Sequence, residues 1–349
     1  MKFLLLCCAA ALVSAGPTGT DHHAILGPNY AKGAAGDPVA RQVVTRAEQA
    51  LGRAPGAIPR LHTEGTLPGK GIRDISLKAK EDQPIILNLA LAWRLTGDRR
   101  FLDQAGRYLE AWADIYQMSF NPIDETGFDT LILATDLTEA DLQPALQAKL
   151  DGFWRRMAEG YLDAMRGKPK HFYTNWQSHR VKLATMAAFQ VGDPDLIARA
   201  RQAFEAQVAT NILANGSVFD FHERDALHYV TYDLDPLLMA AVAAKQHGED
   251  WYGWKNPAGA SLRTALAWLE PYARGEKTHI EFVRSTIQFD LDRAKAGQDE
   301  YAPHPWDAGN GVGTYALAAL LDAGYRDLSR QLQDRIGRKP QAWLALLAD

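Results

Sequence analysis

A chain of 349 residues, 47% hydrophobic and 23% charged, has ordinary globular composition and ample material for a large core in one domain or two. Its formal net charge of -4 argues against a nucleic-acid surface, whose electrostatic footprint is a basic patch. An anionic ligand stays possible, because a local basic cleft inside an acidic protein can focus the field there.

Residues 1–15 begin with Met1-Lys2, run apolar from Phe3 and end on small residues at Val13 and Ala15. This predicts a secretory signal peptide cut after Ala15, leaving 16–349 as a single-domain mature chain in the periplasm or outside the cell. The run is too short for a permanent membrane anchor. Both cysteines, Cys7 and Cys8, lie within it, so the mature chain is expected to have no disulfide, thiolate metal site or cysteine nucleophile.

Helical periodicity dominates from Asp37 onward. A helix over 37–51 precedes a Gly/Pro-rich loop over 52–71, and apolar residues at helical spacing follow over 82–96 and 100–118. Only Gly97-Asp98 and one further residue separate those two segments, so they must pack as an antiparallel hairpin. The helix, Gly-Asp, helix phrase returns over 176–191 and 195–213, and more loosely after 237–246. Helices also fit 141–165, 261–272, 311–323 and 325–336, with a less regular stretch from about Lys277, and no clean strand pair is found. Serial helical hairpins without a fixed repeat length disfavour a solenoid. They predict an all-α fold, an incomplete (α/α)n toroid of about five to seven helix pairs.

Three loops mix aromatic and polar groups: 120–126 with Asn121, 168–175 with His171, and 301–307 with His304 and Trp306. Such surfaces suit a sugar ring, which stacks on an aromatic face while its hydroxyls bond sideways. Lys70, Arg73, Lys78 and Lys80 form a basic group that reads either as a solvated face or as the entrance to a polyanion cleft.

Two segments concentrate chemistry. Asn175-Trp176-Gln177-Ser178-His179-Arg180 opens a helix, with Asn175 and His179 four apart on one face and Gln177 and Arg180 beside them. That set is costly to bury without a ligand. The second segment, 216–236, holds His222, Glu223, Arg224, Asp225, His228, Tyr229, Tyr232 and Asp233 among apolar residues, either as a catalytic wall or as the polar face of an amphipathic helix. No zinc-type spacing, phosphate loop or nucleophile elbow is present, so no metal is expected.

Together, Asn175-Trp176-Gln177-Ser178-His179-Arg180 and the run Arg224-Asp225-Ala226-Leu227-His228-Tyr229-Val230-Thr231-Tyr232-Asp233-Leu234-Asp235-Pro236-Leu237 resemble the alginate-lyase superfamily of α/α-toroid polysaccharide lyases. Within it the chain is most similar to polysaccharide lyase family 38, which includes glucuronan and alginate lyases. The resemblance spans about Lys70 to Trp306, including Leu95-Thr96-Gly97-Asp98 and Asn121-Pro122-Ile123. In the superfamily pattern Arg-Ala-Leu-x-Tyr-His-x-Tyr, the last tyrosine transfers the proton, and it falls on Tyr232. The chain departs from the pattern in having Trp176 after Asn175, which moves the histidine's role to His179, and Asp225 in place of an arginine, with Arg224 next to it.

The resemblance implies β-elimination on an anionic polysaccharide, without an organic cofactor. Asn175 would neutralise the uronate carboxylate with His179 and an arginine such as Arg224, and Tyr232 would act as base and acid. Nearby cations such as Arg224 or His228 would lower the tyrosine's pKa, or His228 would itself orient the base or replace it. Trp176, Gln177, Arg180, Tyr229 and His222 would contact substrate, with Asn121, Lys70, His304 and Trp306 farther out. Two rival readings are a glycoside hydrolase using two of Glu223, Asp225, Asp124 and Glu125, and a non-catalytic glycan-binding protein.

Overall fold

The computed structural model describes residues 22–27, 30 and 36–347, so the expected signal peptide lies outside the described residues. Among the described residues sixteen α-helices follow one another: α1 (Pro38–Ala50), α2 (Gly71–Lys80), α3 (Asp82–Thr96), α4 (Arg99–Ile115), α5 (Pro122–Glu125), α6 (Phe128–Thr138), α7 (Pro144–Ala164), α8 (Asn175–Val191), α9 (Pro194–Asn211), α10 (Phe219–Arg224), α11 (Leu227–Gln246), α12 (Leu262–Arg274), α13 (Gln288–Lys295), α14 (Gly311–Leu321), α15 (Arg326–Ile336) and α16 (Ala342–Ala345).

The Gly-Asp phrases work as paired stops and starts. Gly97 ends α3 with φ 70°, a left-handed conformation that glycine adopts without a Cβ penalty. Asp98 then caps α4 by accepting from the Arg100 N–H. Gly192 and Asp193 do the same between α8 and α9, with φ 68° and acceptance from Asp195 and Leu196. One residue satisfies the outgoing carbonyls and the next satisfies the incoming N–H groups, so the chain reverses within two residues.

The helices form two layers of an α/α toroid. An inner row packs α3 on α6, α6 on α8, α8 on α11 and α11 on α14, while α16 touches both α14 and α1, and α1 returns to α3. Outside it, α4 lies on α3, α7 and α9 on α8, α12 on α11 and α15 on α14. Burial matches these positions: every residue of α8 except Trp176 is buried, whereas α4 and α15 bury a single stripe. The amino-terminal segment is tied in by Asp136 of α6, whose buried carboxylate accepts from the N–H groups of Ala24, Ile25 and Leu26 at 2.7 to 2.8 Å.

The segment 216–236 is not one helix. Asp225, at φ 52°, ends α10, and α11 starts two residues later and runs on through Pro236. The irregular stretch expected from Lys277 contains α13 and a two-residue antiparallel ladder pairing Ile280 with Pro305 and Glu281 with His304. Regular helices resume with α14.

Candidate active site

A cleft of about 330 Å³ is built from five parts of the chain. The long loop and α2 supply Thr63, Glu64, Arg73 and Lys80, and α5 with its C-cap supplies Ile123 and Thr126. The first turn of α8 adds Asn175 and Trp176. Arg224, His228, Tyr229 and Tyr232 come from α10 and α11, and the segment around α13 contributes Phe289, Arg293, Gln298 and Tyr301.

Tyr232 stands in an aromatic nest, its ring parallel to that of His228 at 6.1 Å, edge-on to Tyr229 at 6.2 Å and 4.4 Å from His179. Burial pushes its phenol above the ordinary value and Tyr301 adds to this, while Arg293 and Arg224 pull the other way. The expected lowering by cations is therefore overturned, because desolvation of the phenolate outweighs the two guanidiniums. His228 lends no positive charge either: burial, followed by Arg224, His304 and Arg293, holds its pKa below the usual histidine value. Its backbone N–H is anchored on Glu281 at 2.6 Å.

The two arginines are placed differently. Arg224 lies 4.0 Å over the Tyr229 ring and is bound to the buried Asp290 at 2.5 Å. Arg293 lies 4.3 Å from the Phe289 ring and 4.5 Å from that of Tyr301. It donates to the Tyr229 hydroxyl at 3.3 Å and stays 4.0 Å from Asp290. Among the described residues each guanidinium has one hydrogen bond, but the charge of Arg224 is paired with Asp290 at 2.5 Å, whereas that of Arg293 lies 4.0 Å from it and is less committed.

Asn175 is held by Asp220, which accepts from its backbone N–H at 2.9 Å and also from its side-chain amide. Asp220 is buried at the start of α10 and also receives Asn211 at 3.4 Å. A carboxylate only accepts, so it sets which end of the Asn175 amide faces it. One N–H of the amide is used and the second remains for a ligand in the cleft. His179 lies behind this surface, buried, with Nδ1 2.7 Å from Thr126 Oγ1.

Other expected contacts lie off the cleft lining. Arg180 donates to Gln177 at 3.0 Å and to the Lys170 carbonyl at 3.2 Å, bracing the loop before α8 and standing 5.7 Å from the Trp176 ring. His222 pairs with Ser217 at 2.8 Å, and Asn121 caps α5 through Ile123 and Asp124. His304 faces Glu281 at 3.4 Å, and Trp306 packs against the core. The hydrogen bonds and ring contacts that these residues make are to the protein itself, and the residues lie outside the cleft lining. Lys70 is exposed in an adjoining open depression that shares Phe289 with the cleft.

The carboxylates offered for hydrolysis are also committed elsewhere. Asp124 accepts from the N–H groups of Thr63 and Glu64 at 2.6 and 2.8 Å and pairs with His62 at 3.0 Å. Glu125 receives Tyr116, Ser119 and Tyr161. Asp225 binds Arg284, while Glu223 lies outside the lining. Among the described residues the cleft is lined by one carboxylate, Glu64, against four cations: Arg73, Lys80, Arg224 and Arg293. That is a surface for an anion, with a phenol and an amide at its centre.

Comparison with known proteins gives the fold and the family. A polysaccharide lyase from Stenotrophomonas maltophilia is 28% identical over 167 residues, a match covering 43% of this chain and 49% of the relative, so the chain spans about half that protein's length. An alginate lyase from Bacteroides ovatus superposes with a TM-score of 0.67 at 17% identity, covering 93% of this chain and 99% of that one. Alginate lyase A1-III from Sphingomonas species A1 gives 0.55 at 19% identity over 75% of this chain and 82% of that one. A form of A1-III complexed with tetrasaccharide gives 0.55 at 18% identity over 86% and 89%. The alginate lyase profile matches residues 21–279 of the 349, and the chain belongs to the alginate lyase family.

Proposed function

We propose that the protein is a secreted or periplasmic polysaccharide lyase that cleaves a β-1,4-linked polyuronate, glucuronan or mannuronate-rich alginate, by syn β-elimination. The observation that carries the reading is the gathering of Tyr232, Asn175 and four cations around a cleft with one carboxylate. A form of A1-III complexed with tetrasaccharide supports a saccharide as the class of ligand for this fold.

The chemistry makes three demands. The uronate carboxylate must be held and its charge offset as C5 becomes carbanionic, and preorganised N–H donors do this best in a partly dry site. Asn175, oriented by Asp220, and Arg293 fill that role, with Arg224 behind Tyr229. The phenolate of Tyr232 takes the C5 proton, the C4–C5 double bond forms as the C4–O4 bond breaks, and the phenol returns the proton to O4. In β-linked glucuronate and mannuronate these atoms share one face of the ring, so one residue serves both steps. His228 stacks on Tyr232 in its neutral form and orients it.

The test is a panel of glucuronan, polymannuronate, polyguluronate and hyaluronan, followed by the ultraviolet absorbance of the unsaturated uronate and by product size. Glucuronan or polymannuronate should give the strongest signal, and silence on every polymer would sink the proposal. Tyr232→Phe should reduce turnover by at least about 10²-fold, the usual scale for losing a positioned acid–base group, while polymer affinity is largely kept. A glycan-binding protein would lose nothing measurable.

A further inference from the structure

The two nitrogens of His179 face different surroundings, and these identify its tautomer. Nδ1 is 2.7 Å from Thr126 Oγ1. The same oxygen receives Lys182 Nζ at 2.9 Å. Lys182, nearly buried in α8, places its other two N–H groups on the Thr126 carbonyl at 3.0 Å and on Asp129 at 2.5 Å. An ammonium has no lone pair, so Thr126 Oγ1 must be the acceptor in that bond. Its own hydrogen then points to His179 Nδ1, for among the described residues this hydroxyl has no other hydrogen-bond partner.

An imidazole whose Nδ1 accepts, and which is neutral, carries its proton on Nε2. Burial and the Lys182 charge both hold His179 well below its ordinary pKa. On the far side of the ring the Tyr232 carbonyl favours a proton on the imidazole. Pro236, four residues along α11, has no N–H to give that carbonyl. Nε2 itself is buried and has no closed hydrogen bond, and the ring lies 4.4 Å from that of Tyr232.

We infer that Thr126 and Lys182 lock His179 as the neutral Nε2–H tautomer, making it a positioning residue that holds Tyr232 from behind and not a proton acceptor. The lock stands on the hydrogen bonds around Thr126 Oγ1, whereas the part played toward Tyr232 rests on the lyase reading above. Asp129 closes the far side of the Lys182 ammonium at 2.5 Å and so fixes the donor that Thr126 Oγ1 must accept.

Long-range proton–nitrogen spectra of the full chain labelled with ¹⁵N-histidine, with His179→Gln to assign the signal, read the tautomer directly. The expected wild-type signature is a protonated Nε2 and a lone-pair Nδ1. Thr126→Val keeps the shape and removes the hydroxyl, so the signature should shift toward Nδ1–H. Its kcat on the polyuronate should fall by about a hundredfold, the scale of one lost preorganised donor, with KM little changed. Thr126→Ser should restore both. A wild-type Nδ1–H signature overturns the lock whether or not the valine variant folds, as does a folded Thr126→Val with wild-type tautomer and kcat. A shifted tautomer with unchanged kcat overturns the positioning role. A wild-type Nε2–H signature with no turnover of any polyuronate overturns the lyase reading and leaves the lock in place.

Discussion

At Tyr232 burial and charge pull in opposite directions, and burial wins. The sign follows: a phenol raised above its ordinary value of about 10 supplies phenolate only as the pH climbs, so kcat/KM should rise with pH without levelling off before about pH 10. A pH–rate profile with a plateau near neutrality would instead point to a base other than Tyr232. Asp220 acts one step further back, through Asn175. Asp220→Asn keeps the volume but lets the amide of Asn175 turn, placing a carbonyl where an N–H should meet the uronate. The expected result is a loss of about tenfold to a hundredfold in kcat/KM with the melting temperature little moved, on the scale of misdirecting one donor. Steady-state kinetics beside thermal unfolding would check it. Tyr232 and Asn175 were legible because each sits in a dense motif. Arg293 was not, since α13 is short, polar and without a motif around it, and only its closeness to Tyr229 and Tyr301 gives it a place in the cleft. Asp220 was hidden for another reason: in sequence it is one more acid beside Phe219 and Phe221, and its partner lies 45 residues away.

Among the helices, legibility followed end signals more than amphipathicity, since α8 is buried all round apart from Trp176 and is still marked by its Gly-Asp end. The facing ends of α3 and α4, and of α8 and α9, could be read to within one residue because Gly-Asp pairs mark them, whereas the far ends of α4 and α9 were placed three and two residues too late. α6 escaped notice because Phe128-Asp129-Thr130-Leu131-Ile132-Leu133-Ala134 has no polar stripe; nearly all of it is buried in the inner row, and periodicity vanishes when every side faces protein. α2, α10 and α13 are short and flanked by loop-like residues. The break at Asp225 depends on a left-handed residue held by Arg284 and His279, contacts from a segment more than 50 positions away. The two hairpin glycines allow a graded test. Gly97→Ala meets open space and should cost about 1–2 kcal/mol, the left-handed penalty alone. Gly192→Ala has the same φ problem, and its Cβ would also lie 2.3 Å from the His22 ring, so it should cost clearly more. Denaturant unfolding of the pair measures the difference, and equal costs would mean that the His22 contact yields freely.

At the level of the whole molecule, the ring must join its first and last elements, and the joint is polar as well as apolar. Asp136 reaches from α6 to three successive N–H groups at Ala24, Ile25 and Leu26, while Tyr30 donates to the Trp343 carbonyl within α16. Ala24, Ile25 and Leu26 are themselves buried in the same core as Trp343 and Leu344. Asp136 thus satisfies donors that have no helix or sheet to serve them, and without it they would be stranded in an apolar layer. Asp136→Ala leaves all three unsatisfied, a cost of at least about 3 kcal/mol when each buried orphan costs about 1–3 kcal/mol. The cleft draws none of its lining from this joint. The variant should therefore melt several degrees lower and lose hydrogen-exchange protection first at residues 24–26, yet turn over polyuronate normally at temperatures where it is folded. Protection lost first around α8 and α11 would show that the inner row, and not the joint between chain ends, is the element that Asp136 holds.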